Sequence, residues 1–345
     1  MRRMFAPVFL ALLLAATAVS TETPRIQVVP HAVAPRVDII IDGKPFTSYI
    51  FERSQKKPSL YPLRTAKGTI VTRGYPLDPH PGERSDHPHH VGLWFNYGDV
   101  NGLDFWNNSD AIPAARADKM GTIIHQRVIE AVSGKDKGEL NVEMDWVDSK
   151  GTLLLKENTR YVFQGDDRTR VIDRITRLAA LKEPVVLGDN KEGVLGIRVA
   201  RALELPSKSA DVFLDANNKP AAKAVNNDGV TGNYIGSDGK TGDDVWGTRG
   251  PWTMLQGTIG SEAVSIAMLD HPDNPGFPTY WHARGYGLFA ANNLGQKVFD
   301  PKQEEARRTI PPGGSMTFRH RVLIVDGTPD AAQMAAEQKK FAAQK

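Results

Sequence analysis

Runs of β-branched and aromatic residues recur from residue 25 to residue 326, and many of them alternate apolar with polar side chains. A period of two is typical of strands that cover a core on one face. Gly, Pro, Asn and Asp separate the runs at short intervals, which favours antiparallel sheets over βαβ units. The clearest hairpin is predicted over residues 140–163, where DSKG joins two alternating runs. The sequence therefore predicts a mainly β protein, a large antiparallel β-sandwich.

Residues 328–344 differ from the rest because they begin with Thr-Pro and are rich in strong helix formers. We expect a C-terminal helix there, lying at the edge of a sheet. Residues 218–244 are polar and turn-rich, so we expect a loop insertion without a core of its own. Residues 21–345 are interpreted as a single β-sandwich domain that carries this insertion.

The first 20 residues have the pattern of a secretory signal peptide: two arginines, the apolar run FAPVFLALLLAATAV, and small residues. The apolar run is shorter than the roughly 20 residues of a membrane span. We therefore expect a periplasmic or secreted protein, and leave open whether this segment is cleaved or retained as an anchor. We predict no membrane span after it.

Charge and cysteine content narrow the classes of partner and cofactor. A formal net charge of +3 over 345 residues gives no reason to expect a nucleic-acid partner. The chain contains no cysteine, so disulfides, thiol nucleophiles and thiolate metal sites are excluded. A bound metal would need nitrogen and oxygen ligands.

The stretch SDHPHHVGLWF places His87, His89 and His90 within four positions. In an extended chain His87 and His89 would share one face, as in half of a nitrogen and oxygen metal site. The same pair suits proton transfer, with Asp86 or Asp104 fixing one tautomer. The three histidines are therefore candidates both for catalysis and for a divalent metal.

Two later segments add candidate catalytic residues. LDHPDNPGFPTYWHARGYGLF repeats the Asp-His-Pro triplet and contributes His271, His282 and Arg284. In GDNKEGVLGIRVA the carboxylate of Glu192 precedes a strand, where it could act as a general base or a metal ligand. Arg73 and Arg284 are candidates to stabilise negative charge that develops on a substrate.

The placement of the tryptophans points to a sugar. Five of the six lie near polar, glycine-rich segments, where flat rings can stack on a pyranose while polar side chains bind its hydroxyls. The candidate substrate-binding residues are Arg73, Trp94, Asp99, Asp104, Trp106, Trp246, Trp281 and Arg284.

Residues 61–106, 191–200, 245–252 and 271–295 together resemble one family of bacterial proteins. The chain resembles the DUF6807 family, which carries the older label "methane oxygenase PmoA". The resemblance implies neighbours in sugar catabolism and a galactose-mutarotase-like supersandwich, in which a histidine and a carboxylate act on a sugar ring. A subunit of a membrane-bound oxygenase would need transmembrane helices, and we predict none after the signal segment.

Together these patterns predict an exported carbohydrate-active enzyme that acts on a saccharide or modified glycoside by histidine and carboxylate acid–base chemistry. Hydrolase, lyase and epimerase activities remain open. One alternative is a carbohydrate-binding protein without turnover. The other is a metal-dependent oxygenase-related protein, as the older label states. The expected partner is a small-molecule or oligosaccharide substrate, and a divalent metal held by histidine and carboxylate groups is the one cofactor considered.

Overall fold

A computed structural model describes residues 25–344 and contains two large antiparallel sheets. The predicted signal segment lies outside the described residues. In spatial order the first eight-stranded sheet contains β1 (Ile26–Pro30), β2 (Arg36–Ile41), β3 (Lys44–Ile50), β4 (Ser59–Leu60), β5 (Leu93–Tyr97), β11 (Gly193–Arg198), β16 (Leu288–Asn292) and β15 (Tyr280–Arg284).

The second eight-stranded sheet contains β12 (Asn233–Gly236), β13 (Trp252–Ile259), β14 (Glu262–Asp270), β18 (Ser315–Asp326), β9 (Thr169–Ala180), β8 (Leu153–Gly165), β7 (Gly138–Val147) and β6 (Thr122–Val132). A short ribbon pairs β10 (Val185–Leu187) with β17 (Arg308–Ile310). Within the described residues the helical segments are α1 (Ala331–Ala342) and four 3-10 turns, Arg53–Gln55, Ala114–Lys119, Arg201–Leu203 and Gly242–Val245. The predicted mainly β sandwich is confirmed, and β7 and β8 form the predicted hairpin.

The core lies between the two sheets because their strands alternate as the sequence pattern predicts. Leu93, Phe95 and Tyr97 of β5 belong to one apolar cluster with Ile172 of β9 and residues of the other strands of the second sheet. Successive side chains of a strand point to opposite faces, so Trp94 lies on the other side. We call that side, which faces away from the second sheet, the outer face of the first sheet.

The C-terminal helix α1 lies on the outer face of the second sheet, where Met334 and Phe341 pack beside Trp252 in a separate apolar cluster. The predicted position at a sheet edge is therefore wrong. The helix begins later than predicted because Asp330 and Gln333 form a reciprocal capping box, with two hydrogen bonds of 2.8 Å.

The predicted loop insertion over residues 218–244 is only partly irregular. Its second half contains β12, which pairs with β13. Tyr234 of β12 is fully buried and donates a hydrogen bond to the carbonyl of Leu288, 2.9 Å away. Within residues 25–344 no helix is long and apolar enough to cross a membrane.

Candidate active site

One row of residues crosses four neighbouring strands on the outer face of the first sheet. The register pairs Trp94 of β5 with Gly196 of β11. It then pairs Gly196 with Ala290 of β16, and Ala290 with His282 of β15. A Cβ atom on Gly196 would lie 2.8 Å from the Trp94 ring and 2.9 Å from the Trp106 ring. Glycine at this position therefore leaves room for both indoles against the sheet.

The histidine loop, residues 84–90, is held in place by Arg73, whose side chain is 1% exposed. Its guanidinium donates to the backbone carbonyls of Asp86 and His87, both at 2.9 Å. It also donates to the Asp86 carboxylate at 2.6 Å. Arg73 was predicted to bind substrate, and this is corrected: its side chain is buried and organises the loop.

Asp86 connects two arginines to a histidine. Its Oδ1 accepts hydrogen bonds from Arg73 and Arg198, both at 2.6 Å, and its Oδ2 lies 2.7 Å from Nδ1 of His87. Burial alone would raise the pKa of Asp86, but Arg198, the hydrogen bond to His87, and Arg73 hold that pKa well below its usual value. The ionised carboxylate makes Nδ1 of His87 the protonated donor and leaves Nε2 free.

His87 differs from its neighbours in backbone and exposure. Its φ is 43°, in the left-handed region that few residues other than glycine adopt. Its side chain is 39% exposed. The amide of His90 donates to the carbonyl of His87 at 3.0 Å, so the segment turns instead of extending. The expectation that His87 and His89 share a strand face is therefore wrong.

The turn brings the rings of the histidine loop into contact. Near-parallel rings follow one another from Tyr286 to His87, His90 and Trp94, with centroids 5.2, 4.8 and 5.0 Å apart. His89 meets His90 edge-on at 4.4 Å. The three predicted histidines thus form one cluster above the buried indoles, and Tyr286 continues it towards solvent.

Three histidines near this site are neutral at neutral pH. Burial, with the nearby charge of Lys57, lowers the pKa of His89 to about 2. Burial places the pKa of His90 well below its ordinary value. Burial and the charges of Lys191 and Arg284 lower the pKa of His282 to about 3. Of the four histidines in the region, His87 is the one that reaches solvent.

Glu192 and His282 form a second carboxylate–imidazole pair. Glu192 directly precedes β11, and its Oε2 lies 3.8 Å from Nδ1 of His282. Its other oxygen pairs with the ammonium of Lys191. Nδ1 of His282 is buried and has no hydrogen-bond partner among the described residues. The structure thus brings together two residues that were predicted separately as catalytic candidates.

An open cleft of about 710 Å³ adjoins the cluster and is lined in part by Trp246, Arg284 and Tyr286. Tyr286 contributes to the cleft wall and stacks on His87. The Arg198 guanidinium lies 4.9 Å from the centre of the Tyr286 ring. The cleft therefore meets the Asp86–His87 pair through this one aromatic ring.

Two predicted site residues lie apart from the cluster. His271 follows β14 and is 2% exposed, with Nε2 3.1 Å from the carbonyl of Gln344 and its ring edge-on to Phe341. Trp281 is fully buried in the main core and donates to the carbonyl of Gly250 at 3.1 Å. Their predicted catalytic and substrate-binding roles are corrected: His271 anchors the C-terminal segment, and Trp281 fills the core.

Four other predicted binding residues support the site from behind. The Asp99 carboxylate accepts a hydrogen bond from the amide three residues later, at 2.9 Å, and so shapes a turn. Asp104 accepts from the amides two and three residues later, both at 2.9 Å. Trp94 and Trp106 are 0% exposed. These tryptophans form the floor beneath the histidines and offer no free face to a sugar, so their predicted stacking role is corrected.

Three functional candidates escaped sequence reasoning: Lys57, Arg198 and Tyr286. Lys57 is 3% exposed, and its ammonium donates to the carbonyl of His89 at 2.7 Å. Burial lowers the pKa of Lys57 to about 7, against the opposing charge of Asp104. A charged residue inside the apolar run GVLGIRV was the available signal for Arg198, whereas nothing in the sequence distinguishes Lys57.

The predicted metal site at His87, His89 and His90 does not fit the geometry. Within residues 25–344 no three His, Asp or Glu side chains are grouped so that they could share one ion. Nδ1 of His87 is occupied by Asp86. The guanidinium of Arg198 lies 3.3 Å from Nδ1 of His90. A divalent cation beside these rings would meet a like charge at close range.

The fold and the site define a two-sheet β-sandwich with an aspartate-held histidine beside an open cleft. A family model matches residues 36–339, and the chain belongs to that family, DUF6807, a family of unknown function. The predicted family is thereby confirmed. The match carries no methane-oxygenase label.

A search of the curated proteins finds no match. Solved structures with partial likeness include a mutant of the heparan sulfate lyase HepC from Pedobacter heparinus, at 9% identity and TM-score 0.33 over 90% of this chain. They also include the galactosidase domain of an alpha-galactosidase–sucrose kinase, at 9% identity and TM-score 0.39 over 87%. A third is a variant of a glycoside hydrolase family 97 enzyme from Pseudoalteromonas, at 10% identity and TM-score 0.28 over 87%.

These three neighbours are carbohydrate-active enzymes. The present chain spans 38%, 42% and 34% of their lengths, respectively. At TM-scores below 0.5 they assign no activity to it.

Proposed function

We propose that the protein is an exported carbohydrate-active enzyme in which His87 moves a proton to or from a saccharide. The observation that carries the proposal is the Asp86–His87 pair. Its 2.7 Å hydrogen bond orients an imidazole that is 39% exposed beside a cleft. A histidine with its tautomer fixed by a carboxylate and its other nitrogen free is a suitable general acid or base.

Asp86 and its two arginines prepare His87 for this role. Because the carboxylate accepts the Nδ1 proton, Nε2 can take a proton from a substrate and return it later. The negative charge of Asp86 stabilises the imidazolium that forms. Arg73 and Arg198 keep Asp86 ionised and fix its position, since both donate to the same oxygen.

Glu192 is the proposed counterpart of His87. Burial raises the pKa of Tyr286 to about 12, and Arg198 opposes this while Glu192 and Asp86 add to it. Glu192 lies 3.8 Å from Nδ1 of His282, which belongs to the same row of residues on the outer face as Trp94. In this proposal His87 and Glu192 supply one acid and one base to the sugar.

The cleft suits a saccharide in size and lining. Its volume of about 710 Å³ lies within the roughly 300–1,000 Å³ of ligand pockets. Trp246, which also lines the cleft, supplies an aromatic ring for the apolar side of a sugar. Hydrolysis, elimination and epimerisation all need one acid and one base, so a screen of substrates has to distinguish among these reactions.

Export is proposed from the sequence of residues 1–20 alone.

The test is a turnover screen on the full chain with neutral, acidic and amino-sugar glycosides. New reducing ends would report hydrolysis, ultraviolet absorbance of an unsaturated sugar would report elimination, and exchange of a ring proton in D₂O would report epimerisation. The variant His87→Gln is compared with wild type on any substrate found. We expect it to lose about 100-fold or more in kcat/KM, the smaller end of the usual acid–base contribution.

His31→Gln is the matched control. His31 also contacts an aspartate, Asp38, at 2.6 Å, and its side chain is 33% exposed, but it lies beside β2. We expect its kcat/KM to equal that of wild type. Saccharide binding without turnover of any kind would overturn the proposal and favour a binding protein. Equal kcat/KM of His87→Gln and wild type would overturn the role of His87.

A further inference from the structure

Arg284 is a charged side chain in the cleft that the acid–base scheme does not use. Its side chain is exposed and has no hydrogen bond or ion pair among the described residues. Outside the strand pairing, only its backbone carbonyl is bonded within those residues: it accepts hydrogen bonds from the amide of Gly287 and the hydroxyl of Tyr234. The guanidinium lies 5.7 Å from the centre of the Tyr286 ring and 6.0 Å from that of Trp246. Two aromatic rings therefore flank it while its donors stay free.

The other arginine of the cleft lining is neutralised. Arg84 pairs with Glu204 at 2.7 Å and also with Asp211. Arg201, beside it, pairs with Glu204 at 2.7 Å. Arg84 and Arg201 are thus already paired with carboxylates, whereas Arg284 is not.

The unpaired charges that line the cleft favour an anion. They are Lys208 and Arg284 on the positive side and Asp243 on the negative side. Asp243 lies beside Gly285, where a Cβ atom would be 3.0 Å from its carboxylate. These three groups leave one positive charge in excess in the cleft lining. A planar guanidinium with free donors matches the oxygens of a carboxylate or sulfate.

We propose that the saccharide bound in this cleft is anionic and that Arg284 binds its carboxylate or sulfate group. This inference rests on the proposed function, because it names the class of sugar for the same site. Tyr286 connects the two parts: it stacks on His87 and lies beside Arg284. A sugar whose anionic group contacts Arg284 would therefore have its ring near the proton-transferring imidazole.

Binding, measured apart from turnover, is the test. Titration calorimetry at low ionic strength would compare sodium glucuronate and sodium galacturonate with glucose and galactose. Glucose 6-sulfate would be the second anion source, and inorganic sulfate the control for a bare anion. We expect one of the anionic sugars to bind at least about 10-fold more tightly than its neutral counterpart, as for a charge-assisted hydrogen bond. Added salt should weaken that preference.

Arg284→Gln should remove most of the preference, and Arg284→Lys should restore only part of it because the fork geometry is lost. Arg177→Gln is the matched control. Arg177 is an exposed residue of β9 on the second sheet, and its side chain has no partner among the described residues. The control should bind like wild type.

The possible outcomes distinguish failure of the anionic-sugar inference from failure of the proposed enzymatic function. Tighter binding of the uronates would identify a carboxylate, and tighter binding of the sulfated sugar a sulfate ester. Equal affinity for neutral and anionic sugars, or a preference that survives Arg284→Gln, would overturn the inference and leave the proposed function intact. Inorganic sulfate binding as tightly as the sugars would also overturn it. If no sugar binds and the turnover screen is also negative, both proposals fail.

Discussion

The triplet Asp-His-Pro occurs twice, at residues 86–88 and 270–272, and the fold gives the two copies different surroundings. Asp86 accepts hydrogen bonds from two arginines. Asp270 is fully buried and accepts hydrogen bonds from neutral groups: the side-chain amides of Asn274 and Asn293 and the backbone amide of Thr279, at 2.7, 2.9 and 2.8 Å.

The histidines of the two triplets also differ in their surroundings, since the first is partly exposed and the second is buried. The His87 side chain is 39% exposed and bonded to its own neighbouring aspartate. The His271 side chain is 2% exposed, and its Nδ1 accepts a hydrogen bond from the amide of Asp273 at 3.1 Å. One imidazole keeps a nitrogen available to solvent, and the other has both nitrogens in contact with backbone.

Neighbouring charge, not the triplet, therefore decides what each carboxylate does. Two guanidinium groups outweigh burial at Asp86 and depress its pKa. At Asp270 burial outweighs three hydrogen bonds and raises the pKa to about 6. The first carboxylate stays charged and can orient a catalytic imidazole, whereas the second supports the packing between β14 and the following loop.

The largest expected effect comes from Asp86→Asn. The change leaves two nearly buried arginines without their carboxylate, so we expect the free energy of unfolding at pH 7 to fall by about 3 kcal/mol. It also releases the His87 tautomer, so kcat/KM on any substrate should fall by about 100-fold. Urea unfolding and steady-state kinetics would measure the two losses.

The pH dependence of this effect has a definite sign. Since the folded-state pKa of Asp86 lies below its ordinary value of 3.8, its stabilising effect is present above about pH 4 and is lost as the pH falls further. The difference between wild type and Asp86→Asn should therefore shrink in acid. Because Asp86 acts by positioning His87, the pH–rate profile of the variant should also shift, which a purely structural role would not cause.

Asp270→Asn should show the opposite pH dependence. The folded-state pKa of about 6 exceeds the ordinary 3.8, so wild type binds an extra proton on folding between those values. The stability of wild type relative to the variant should therefore decrease by about 2 kcal/mol as the pH rises from 3.8 to 6. Unfolding curves at pH 4, 5, 6 and 7 would measure this change. A difference that is constant across the series would contradict the assignment.

Much of the fold could be predicted because its signals are local. Alternating runs become β7, β8 and β9, and the residues that face the core follow from the period of two. Residues 68–74 (GTIVTRG) are another β-branched run of the sequence, but they form only isolated bridges to Arg64 and Val199. Its final glycine is closely surrounded: a Cβ on Gly74 would lie 1.9 Å from the carbonyl of Asp78.

The candidate site was predicted only in part, because its geometry depends on strand register and a turn. Residues 85–95 indicated the histidines, and Asp86 was among the residues expected to fix a tautomer. Arg198 contacts Asp86, and Tyr286 stacks on His87. Both contacts depend on pairing between β11, β16 and β15, which composition does not encode. Likewise, the triplet itself does not indicate that His87 is exposed and His271 buried, since the groups that surround each histidine are distant in sequence.

His271→Gln is the smallest expected effect and tests that separation directly. The variant loses the ring contact with Phe341 and the hydrogen bond to the carbonyl of Gln344. We expect the free energy of unfolding to fall by about 1–2 kcal/mol, with kcat/KM per folded molecule equal to that of wild type. His87→Gln, measured in parallel by urea unfolding and kinetics, should do the reverse and leave stability nearly unchanged. If His271→Gln instead lowered kcat/KM by 10-fold or more in a protein of wild-type stability, the two triplets would share a function and the comparison drawn from their surroundings would be wrong.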